Sequence, residues 1–266
     1  MPTLSDPDYL LKEQYHNASK LDARIRLHTG FSINEYDWFL WVFDQYDLPP
    51  QCRILELGCG PGDLWCKNMH RIPKGWAITL SDFSTGMLEQ ARQNLADSDH
   101  RFTFEIIDTQ SIPFENGSFD AVIANHMIYH VPDRARGLSE MRRVLKSGGD
   151  LYATTVGVSH MRELPELITK FDPELALKHV GEANEFTLEN GPAQLAEWFS
   201  EVAVRRYEDA LHITEAAPLV DYAMSSRWFR VDTDRREEFA EFVGQELALN
   251  GGAIRIAKDS GMLVAK

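Results

Sequence analysis

The stretch that decides the fold is Ile54-Leu55-Glu56-Leu57-Gly58-Cys59-Gly60-Pro61-Gly62. An apolar run typical of a buried strand leads into a loop with glycine at every second position. Glycine lets the backbone turn sharply there and lets a ligand approach closely. Related loops bind dinucleotides, and that reading is an alternative for this one. A P-loop is excluded, because no Gly-Lys-Ser/Thr follows the glycines.

Apolar runs alternate with helical patterns after this loop, which predicts a parallel α/β sheet. The first helix is expected over Ser84–Leu95 with Ser84 as its N-cap. A second is expected over Asp133–Leu145, ended by the glycines of Lys146-Ser147-Gly148-Gly149. The predicted strands are short and apolar, as strands buried on both faces are: Arg53–Leu57, Trp76–Ser81, Phe102–Ile107, Ala121–Asn125 and Asp150–Thr155.

Three regions of one domain are predicted: an N-terminal helical lid (1–50), a cofactor-binding α/β core (51–157), and a completion of the sheet with helical cap insertions (158–266). The insertions, at 158–185 and 212–250, are typical of lids or substrate caps. The elements expected in the last region are helices Thr187–Phe199 and Glu237–Leu249, strand Val202–Leu211, and a final strand or hairpin flanked by Ala253–Ile256 and Met262–Ala265.

The charge balance and the cysteines argue against several kinds of partner and site. The net charge of −14, from 27 basic and 41 acidic residues, disfavours nucleic-acid and anionic-membrane partners. Cys52, Cys59 and Cys66 contain no C-x-x-C pair, so no metal site is expected. The first residues lack a signal pattern and no apolar run is long enough to span a bilayer, so we expect a cytoplasmic protein.

Three acids each close a successive predicted strand, namely Glu56, Asp82 and Asp108. The carboxyl ends of parallel strands share one edge of a sheet, where ligands bind. A carboxylate at Asp82 suits the hydroxyls of a ribose, and one at Asp108 suits an adenine amino group. Taken singly, Asp82 also fits a helix N-terminal acid near Ser84, and Asp108 fits a solvated loop acid.

The loop after the fourth predicted strand carries the candidate catalytic residues His126, Tyr129 and His130. Histidine suits a general base near neutral pH, and the tyrosine offers a hydroxyl or an aromatic face for a cation. We favour His130 over His126 because it lies further into the loop. Capping or packing is the alternative for both histidines, and His160 and His212 are more distant candidates.

From residue 54 to about 157 the chain resembles the class I S-adenosylmethionine methyltransferases, particularly the ubiquinone/menaquinone C-methyltransferases. The resemblance implies a Rossmann-like α/β sheet, mostly parallel, with seven strands of which the last is antiparallel. It also implies S-adenosylmethionine as cofactor and S-adenosylhomocysteine as product. The implied cofactor contacts are Gly58 and Gly60 with the methionine part, Asp82 with the ribose, Phe83 and Met87 with the adenine, Asp108 with the adenine amine, and Asn125 near the amino-acid end.

Further cofactor contacts are expected beside these motifs and on the N-terminal helix. Related methyltransferases often fold such a helix over the cofactor, and Arg24 and His28, four residues apart, would share one of its faces. A solvated basic helix face is the alternative. The residues predicted here are Tyr15, Arg24, Glu56, Cys59, Thr109 and Gln110.

The predicted function is in-line transfer of a methyl group to a small-molecule acceptor, by a monomer or homodimer. Residues 222–230 are a candidate lining for an apolar acceptor pocket. A non-catalytic S-adenosylmethionine-binding module is the main alternative, and an NAD-dependent oxidoreductase is a weaker one. An exocyclic-amine nucleic-acid methyltransferase is disfavoured, because Asn125-His126-Met127-Ile128 lacks the prolines of an Asn/Asp-Pro-Pro-Tyr/Phe loop.

Overall fold

A computed structural model describes residues 19–100, 102–176, 186–225 and 231–266. Over these residues the strands form one seven-stranded sheet in the order β3-β2-β1-β4-β5-β7-β6. The strands are β1 (Gln51–Leu57), β2 (Gly75–Asp82), β3 (Phe102–Ile106), β4 (Phe119–Asn125), β5 (Leu145–Val156), β6 (Val202–Ile213) and β7 (Ile254–Ala265).

Strands β1 to β5 run parallel, and β7 is antiparallel to both β5 and β6. The predicted fold class, a mostly parallel Rossmann-like sheet of seven strands with an antiparallel last strand, is confirmed. The chain order reverses between β1 and β4, and ligands of open α/β sheets bind at such a switch point, beyond the carboxyl ends of the strands. The glycine loop leaves β1 at this place.

Helices pack on both faces of the sheet and against β6 and β7 at one end of it. They are α1 (Ser19–Gly30), α2 (Trp38–Asp44), α3 (Asp63–Asn68), α4 (Thr85–Asn94), α5 (Arg134–Val144), α6 (Glu163–Phe171), α7 (Pro173–Ala176), α8 (Gly191–Leu195), α9 (Ala216–Ser225) and α10 (Arg236–Leu249). Short 3-10 turns lie at Met69–Arg71, Ile128–His130 and Thr233–Arg235.

Side-chain caps set where three of these helices begin. Asp37 accepts from the backbone N–H of Phe39 at 2.8 Å and starts α2. Ser84 accepts from Met87 N–H at 3.3 Å, which confirms it as the N-cap of α4. Asp133 starts α5 by accepting from Arg136 N–H at 3.0 Å. Each cap satisfies a donor that has no partner inside the first helical turn.

The buried side chains form three clusters. One packs α5 on a face of the sheet around Phe119 and Met141, and a second packs α2, α3 and α4 on the opposite face around Trp65. The third joins α1, α6, α9 and α10 to β6 and β7 around Leu27 and Phe239. This third cluster joins these helices to β6 and β7, at the end of the sheet opposite β3.

The helix predicted first in the C-terminal region is wrong in extent, and the structure decides the choice between a final strand and a hairpin in favour of the strand. The helix expected over Thr187–Phe199 is reduced to α8, because Thr187 and Asn190 bond each other's backbone N–H groups in a turn. The final strand or hairpin is one continuous strand, β7, whose Gly261 pairs with Arg206. A Cβ at Gly261 would lie 2.4 Å from a carbonyl oxygen of β6, so this close pairing requires glycine.

The glycines after α5 also differ in role from the prediction. The helix ends at Val144 with Leu145 already extended, and β5 follows without a break. Gly148 has a φ of 75° inside the strand, at the place where the register with β4 shifts. In the described ranges no helix combines the length and apolar character needed to cross a bilayer.

Candidate cofactor and acceptor site

The glycine loop after β1 uses backbone conformations that favour glycine. Gly58, Gly60 and Gly62 have φ values of 68°, 54° and 82°. A Cβ on Gly58 would lie 2.9 Å from Cβ of Met127, so the loop packs tightly against the segment after β4. At Gly60 a Cβ would meet no atom within 4 Å, so the loop is open there. The loop is closed by packing on one side and open on the other.

Glu56 lies buried beneath this loop. Its carboxylate accepts from Trp65 Nε1–H at 2.5 Å and from Asn125 Nδ2–H at 2.9 Å. Burial raises the pKa of Glu56 to about 7, although the two hydrogen bonds act in the opposite direction. Glu56 therefore holds the ends of β1 and β4 together and fixes the side chain of Asn125.

Asp82 joins the end of β2 to the glycine loop. Its Oδ2 accepts from Gly60 N–H at 3.0 Å and its Oδ1 from Ser84 N–H at 2.8 Å. Burial raises the pKa of Asp82, while these backbone donors lower it. The bond to Ser84 is the one expected if Asp82 is a helix N-terminal acid. The bond to Gly60 places the carboxylate at the loop, as the cofactor hypothesis requires.

The end of β3 carries Asp108, which lies exposed beside the end of β2. Ile107 N–H donates to Asp82 O at 3.3 Å, and Asp108 accepts from Gln110 N–H at 2.9 Å. Thr109 is buried. The three acid-bearing strand ends, β1, β2 and β3, thus stand side by side at one edge of the sheet.

The remaining residues predicted near the adenine or the loop differ in exposure. Phe83 is 42% exposed and available to a ligand, whereas Met87 is 2% exposed and packs inside the protein. Cys59 is buried, and its N–H donates to Ser81 O at 2.8 Å. Burial raises the pKa of the Cys59 thiol well above its usual range, so the thiol stays protonated.

The loop after β4 brings His126 inward. This residue has a φ of 49°, and its N–H donates to Thr154 O at 3.1 Å. Its ring centroid lies 5.4 Å from that of Trp38 and 6.5 Å from that of Tyr129. His130 lies in the following 3-10 turn, with its ring 4.6 Å from Tyr129. A left-handed conformation at a histidine is uncommon and orients its side chain sharply.

His28, His126 and His160 form what we call the histidine cluster. The rings of His28 and His160 stack with centroids 5.7 Å apart, and Tyr222 meets His28 edge-on at 5.6 Å. Burial lowers the pKa of His126 to about 4 and that of His160 to about 3, and lowers the pKa of His28 well below its usual range. All three imidazoles are neutral at pH 7.

Arg24 and His28 both face α9, so the prediction that they share one face of their helix is confirmed. Arg24 Nη2–H donates to the carbonyl of Ser225 at 2.8 Å, and His28 contacts Tyr222. Tyr15 lies outside the described residues, as do residues 226–230 of the predicted acceptor lining.

Sequence reasoning missed three residues around these sites. Trp65 holds Glu56 from a position nine residues later, and Trp38 packs on His126 from α2. Lys258 is 8% exposed within β7. Of these three residues, Lys258 could have been noticed in the sequence, because a lysine that alternates with Ile256 on the inward face of a strand is unusual.

The sheet edge fits S-adenosylmethionine by two observations. The loop is open at Gly60, and the buried hydroxyl of Tyr46 lies beside Asn125 and Glu56, at the ends of β4 and β1. Burial, together with the nearby charge of Glu56, raises the pKa of Tyr46, so this hydroxyl remains a donor. Within the described ranges no three His, Cys, Asp or Glu side chains are grouped as metal ligands.

Residues 54–149 match the family model described as a methyltransferase domain. The ubiquinone/menaquinone biosynthesis C-methyltransferase UbiE of a Geobacter species is 40% identical over 148 residues, which cover 50% of this chain and 63% of that protein. The chain therefore matches less than two thirds of this relative's length.

Solved structures share the fold. The phosphoethanolamine N-methyltransferase 2 of Haemonchus contortus, solved with S-adenosyl-L-methionine, has a TM-score of 0.61 at 18% identity, covering 100% of this chain and 60% of that one. The [4+2]-cyclase SpnF has a TM-score of 0.58 at 17% identity, covering 100% and 97%. The class I methyltransferase resemblance inferred from the sequence is confirmed, while the cyclase shows that the fold also accompanies other chemistry.

Proposed function

We propose that this chain, whose residues 54–149 match the methyltransferase-domain family model, transfers a methyl group from S-adenosylmethionine to a small-molecule acceptor. The observation that carries the proposal is Asp82, whose carboxylate joins the end of β2 to the open glycine loop at Gly60. This places an acid beside Gly60, the loop glycine at which an added Cβ would meet no atom within 4 Å.

The cofactor contacts follow from positions along the sheet edge. Gly58 and Gly60 would face the methionine part, with Tyr46 and Asn125 near its amino-acid end. Asp82 would accept from the ribose hydroxyls with its remaining lone pairs, while Phe83 and Asp108 would contact the adenine. Glu56, Cys59, Met87, Thr109 and Gln110 would support these contacts from behind or beside them, and Arg24 would help hold α1 over the site.

The protein's contribution to the reaction is positioning and proton handling. When bound, S-adenosylmethionine supplies a methyl group already activated on a sulfonium, so alignment of the acceptor accounts for most of the acceleration. His126 would take the proton that the acceptor loses, at a ring nitrogen. Burial lowers the pKa of His126 to about 4, which keeps the imidazole neutral and able to accept a proton at pH 7 but also makes it a weak base. His130 and Tyr129 stay candidates, positioned behind His126 on the same loop.

Calorimetric titration of the chain with S-adenosylmethionine tests the proposal. We expect binding, and at least a tenfold weaker affinity for Asp82→Ala. Asp99→Ala, at an exposed acid after α4, is the matched control and should bind as the native chain does. Absence of binding by the native chain would contradict the proposal. Binding without release of S-adenosylhomocysteine in a small-molecule extract would favour the non-catalytic module.

The proposal includes a small-molecule acceptor, no nucleic-acid or membrane partner, a monomer or homodimer, and a cytoplasmic location. The net charge of −14 supports the absence of a nucleic-acid or membrane partner, because an acidic surface repels phosphate backbones and anionic lipids. Size-exclusion chromatography with light scattering would measure the oligomeric state.

A further inference from the structure

Thr154 lies where the ligand-binding edge of the sheet meets the loop after β4. It belongs to β5 and stands opposite Asn125 in the parallel pairing of β4 with β5. Successive side chains of a strand point to opposite faces of the sheet, so Thr154 and Thr155 point apart. The Thr155 hydroxyl donates to the carbonyl of Phe186 at 2.8 Å. Of these two buried hydroxyls, that of Thr154 contacts the end of β4.

The Thr154 hydroxyl makes hydrogen bonds in two directions. Its Oγ1–H donates to Asn125 Oδ1 at 3.2 Å, and the same oxygen accepts from the backbone N–H of His126 at 3.1 Å. A hydroxyl has a single proton, so donation to Asn125 leaves its lone pairs for His126. The two bonds therefore fix the orientation of the hydroxyl and tie the last residue of β4 to the first residue of the following loop.

The bond to Asn125 sets which way its amide points. Asn125 Nδ2–H donates to Glu56 Oε1 at 2.9 Å, and Trp65 Nε1–H donates to the other carboxylate oxygen at 2.5 Å. A flipped amide would place its oxygen against the Glu56 carboxylate and would lose the bond that Thr154 donates. The amide is thus held in one orientation, although Asn125 itself is only half-buried.

The bond to His126 acts on an unusual backbone position. His126 has a φ of 49°, a conformation that residues other than glycine rarely adopt. Such conformations persist where neighbouring groups hold them. The N–H of His126 is shared between the hydroxyl and the carbonyl of Thr154, both at 3.1 Å. In this conformation the His126 ring lies against Trp38, with the centroids 5.4 Å apart.

We infer that Thr154 is a positioning residue of the methyl-transfer site, whose single hydroxyl holds both the Asn125 amide for the cofactor and the His126 ring for the acceptor. Thr154 is 0% exposed, so it acts through these two neighbours and contacts neither ligand itself. This inference rests on the proposed function, because it concerns the same cofactor and the same base.

Thr154→Val tests the inference, since it removes the hydroxyl and keeps the branched shape of the side chain. Asn125 Oδ1 then loses its donor, and calorimetric titration with S-adenosylhomocysteine should show about tenfold weaker binding than in the native chain. Thr154→Ser restores the hydroxyl and should recover most of the affinity. Thr154→Ala, which also lacks the hydroxyl, replaces the valine variant if that variant does not fold, as judged by urea denaturation.

Thr155→Val is the matched control, because it removes a buried hydroxyl from the next residue of the same strand. Both valine variants lose one buried hydrogen-bonding group and should lose similar stability, but Thr155→Val should bind S-adenosylhomocysteine as the native chain does. Equal weakening of binding by the two variants would show a general structural effect and overturn the inference. Failure of the native chain to bind counts against the proposed function, whereas native affinity in Thr154→Val counts against this inference alone.

Proton–nitrogen NMR of the imidazoles gives a second measurement, which needs no ligand. The His126 signals are identified by their absence from the spectrum of His126→Gln. Thr154→Val should shift or broaden these signals, because the loop backbone loses one of its two acceptors on β5. Thr154→Ser and Thr155→Val should leave them in place. Unchanged His126 signals in Thr154→Val would overturn the inference.

Discussion

The cofactor edge and the histidine cluster differ in charge and in construction. At the edge, Glu56, Asp82 and Asp108 end three adjacent strands. Asp82 and Asp108 are the acceptors proposed to face the cofactor, while Glu56 is buried and bonded to Trp65 and Asn125. In the cluster, burial keeps three imidazoles neutral, and the nearby Lys258 is paired with Asp209. Acidic side chains therefore dominate the first region, and buried neutral rings dominate the second.

The two regions also differ in which parts of the chain build them. The edge is built from strand ends that follow one another, so its geometry is set by backbone conformation at a few glycines. The cluster is built from α1, α9, two loops and β7, so its geometry depends on tertiary packing and on burial. Substitutions at the cofactor edge should therefore act by steric strain. Substitutions in the histidine cluster should act by changing the protonation of buried groups.

Gly58→Ala tests the steric side and should have the largest effect. The residue has a φ of 68°, and the new Cβ would lie 2.9 Å from Cβ of Met127. Backbone strain and overpacking together should destabilise the protein by about 2 to 4 kcal/mol. Urea denaturation measures this loss, and titration with S-adenosylmethionine measures the accompanying loss of affinity.

The controls for Gly58→Ala separate strain from crowding. Gly60→Ala shares the positive φ but meets open space, so it should cost only about 1 kcal/mol in stability. Gly30→Ala, which meets nothing and has no positive φ, should change stability by less than about 0.5 kcal/mol. Equal losses for Gly58→Ala and Gly60→Ala would show that Met127 does not fix the loop.

His160→Gln tests the protonation side. The pKa of His160 is lowered from 6.5 to about 3, so between these values the unfolded chain binds more protons than the folded one. His160 therefore costs stability as the pH falls below 6.5. At pH 5 this cost is about 1 to 2 kcal/mol, after allowing for its partial exposure. The stability difference between pH 7 and pH 5 should shrink by that amount in the variant.

Comparison with the native chain removes opposing contributions to this measurement. Glu56 has its pKa raised to about 7, so it adds stability as the pH falls, with the sign opposite to that of His160. The contribution of Glu56 is the same in the native chain and in His160→Gln, so it cancels when their stabilities are subtracted. His70→Gln, at an exposed position, should leave the pH dependence as it is in the native chain. An unchanged pH dependence in His160→Gln would show that folding does not lower the pKa of His160.

Trp65→Phe should have a smaller effect than Gly58→Ala, of about 1 to 2 kcal/mol in stability. The substitution keeps most of the buried ring but removes the Nε1–H that donates to Glu56 at 2.5 Å. Because that bond lowers the pKa of Glu56, its loss should raise the pKa further above 7. Carbon NMR of the Glu56 carboxyl follows this titration. Trp76→Phe, which loses a bond to the carbonyl of Pro49, is the control and should leave it unchanged.

Most of the sheet was predictable because its signals are local. The segments predicted for β1 to β5 are short, mostly apolar runs, and the loop glycines and Asp82 lie at strand ends that a parallel sheet brings together. The short α8 was not predictable in extent, since Thr187 and Asn190 close a turn that competes with the helix. The histidine cluster was not predictable either, because its members are related only by the packing of α1 and α9 on the sheet.

The position of β7 has a consequence for how the protein is made. This strand lies between β5 and β6, although β6 precedes it in the chain. On the ribosome β6 therefore has no strand partner until Ile254–Ala265 have emerged, and before that only its bridge to Ser32 can form, while β1 to β5 and the glycine loop can already assemble. The cofactor edge would therefore assemble before the part of the sheet that carries Lys258.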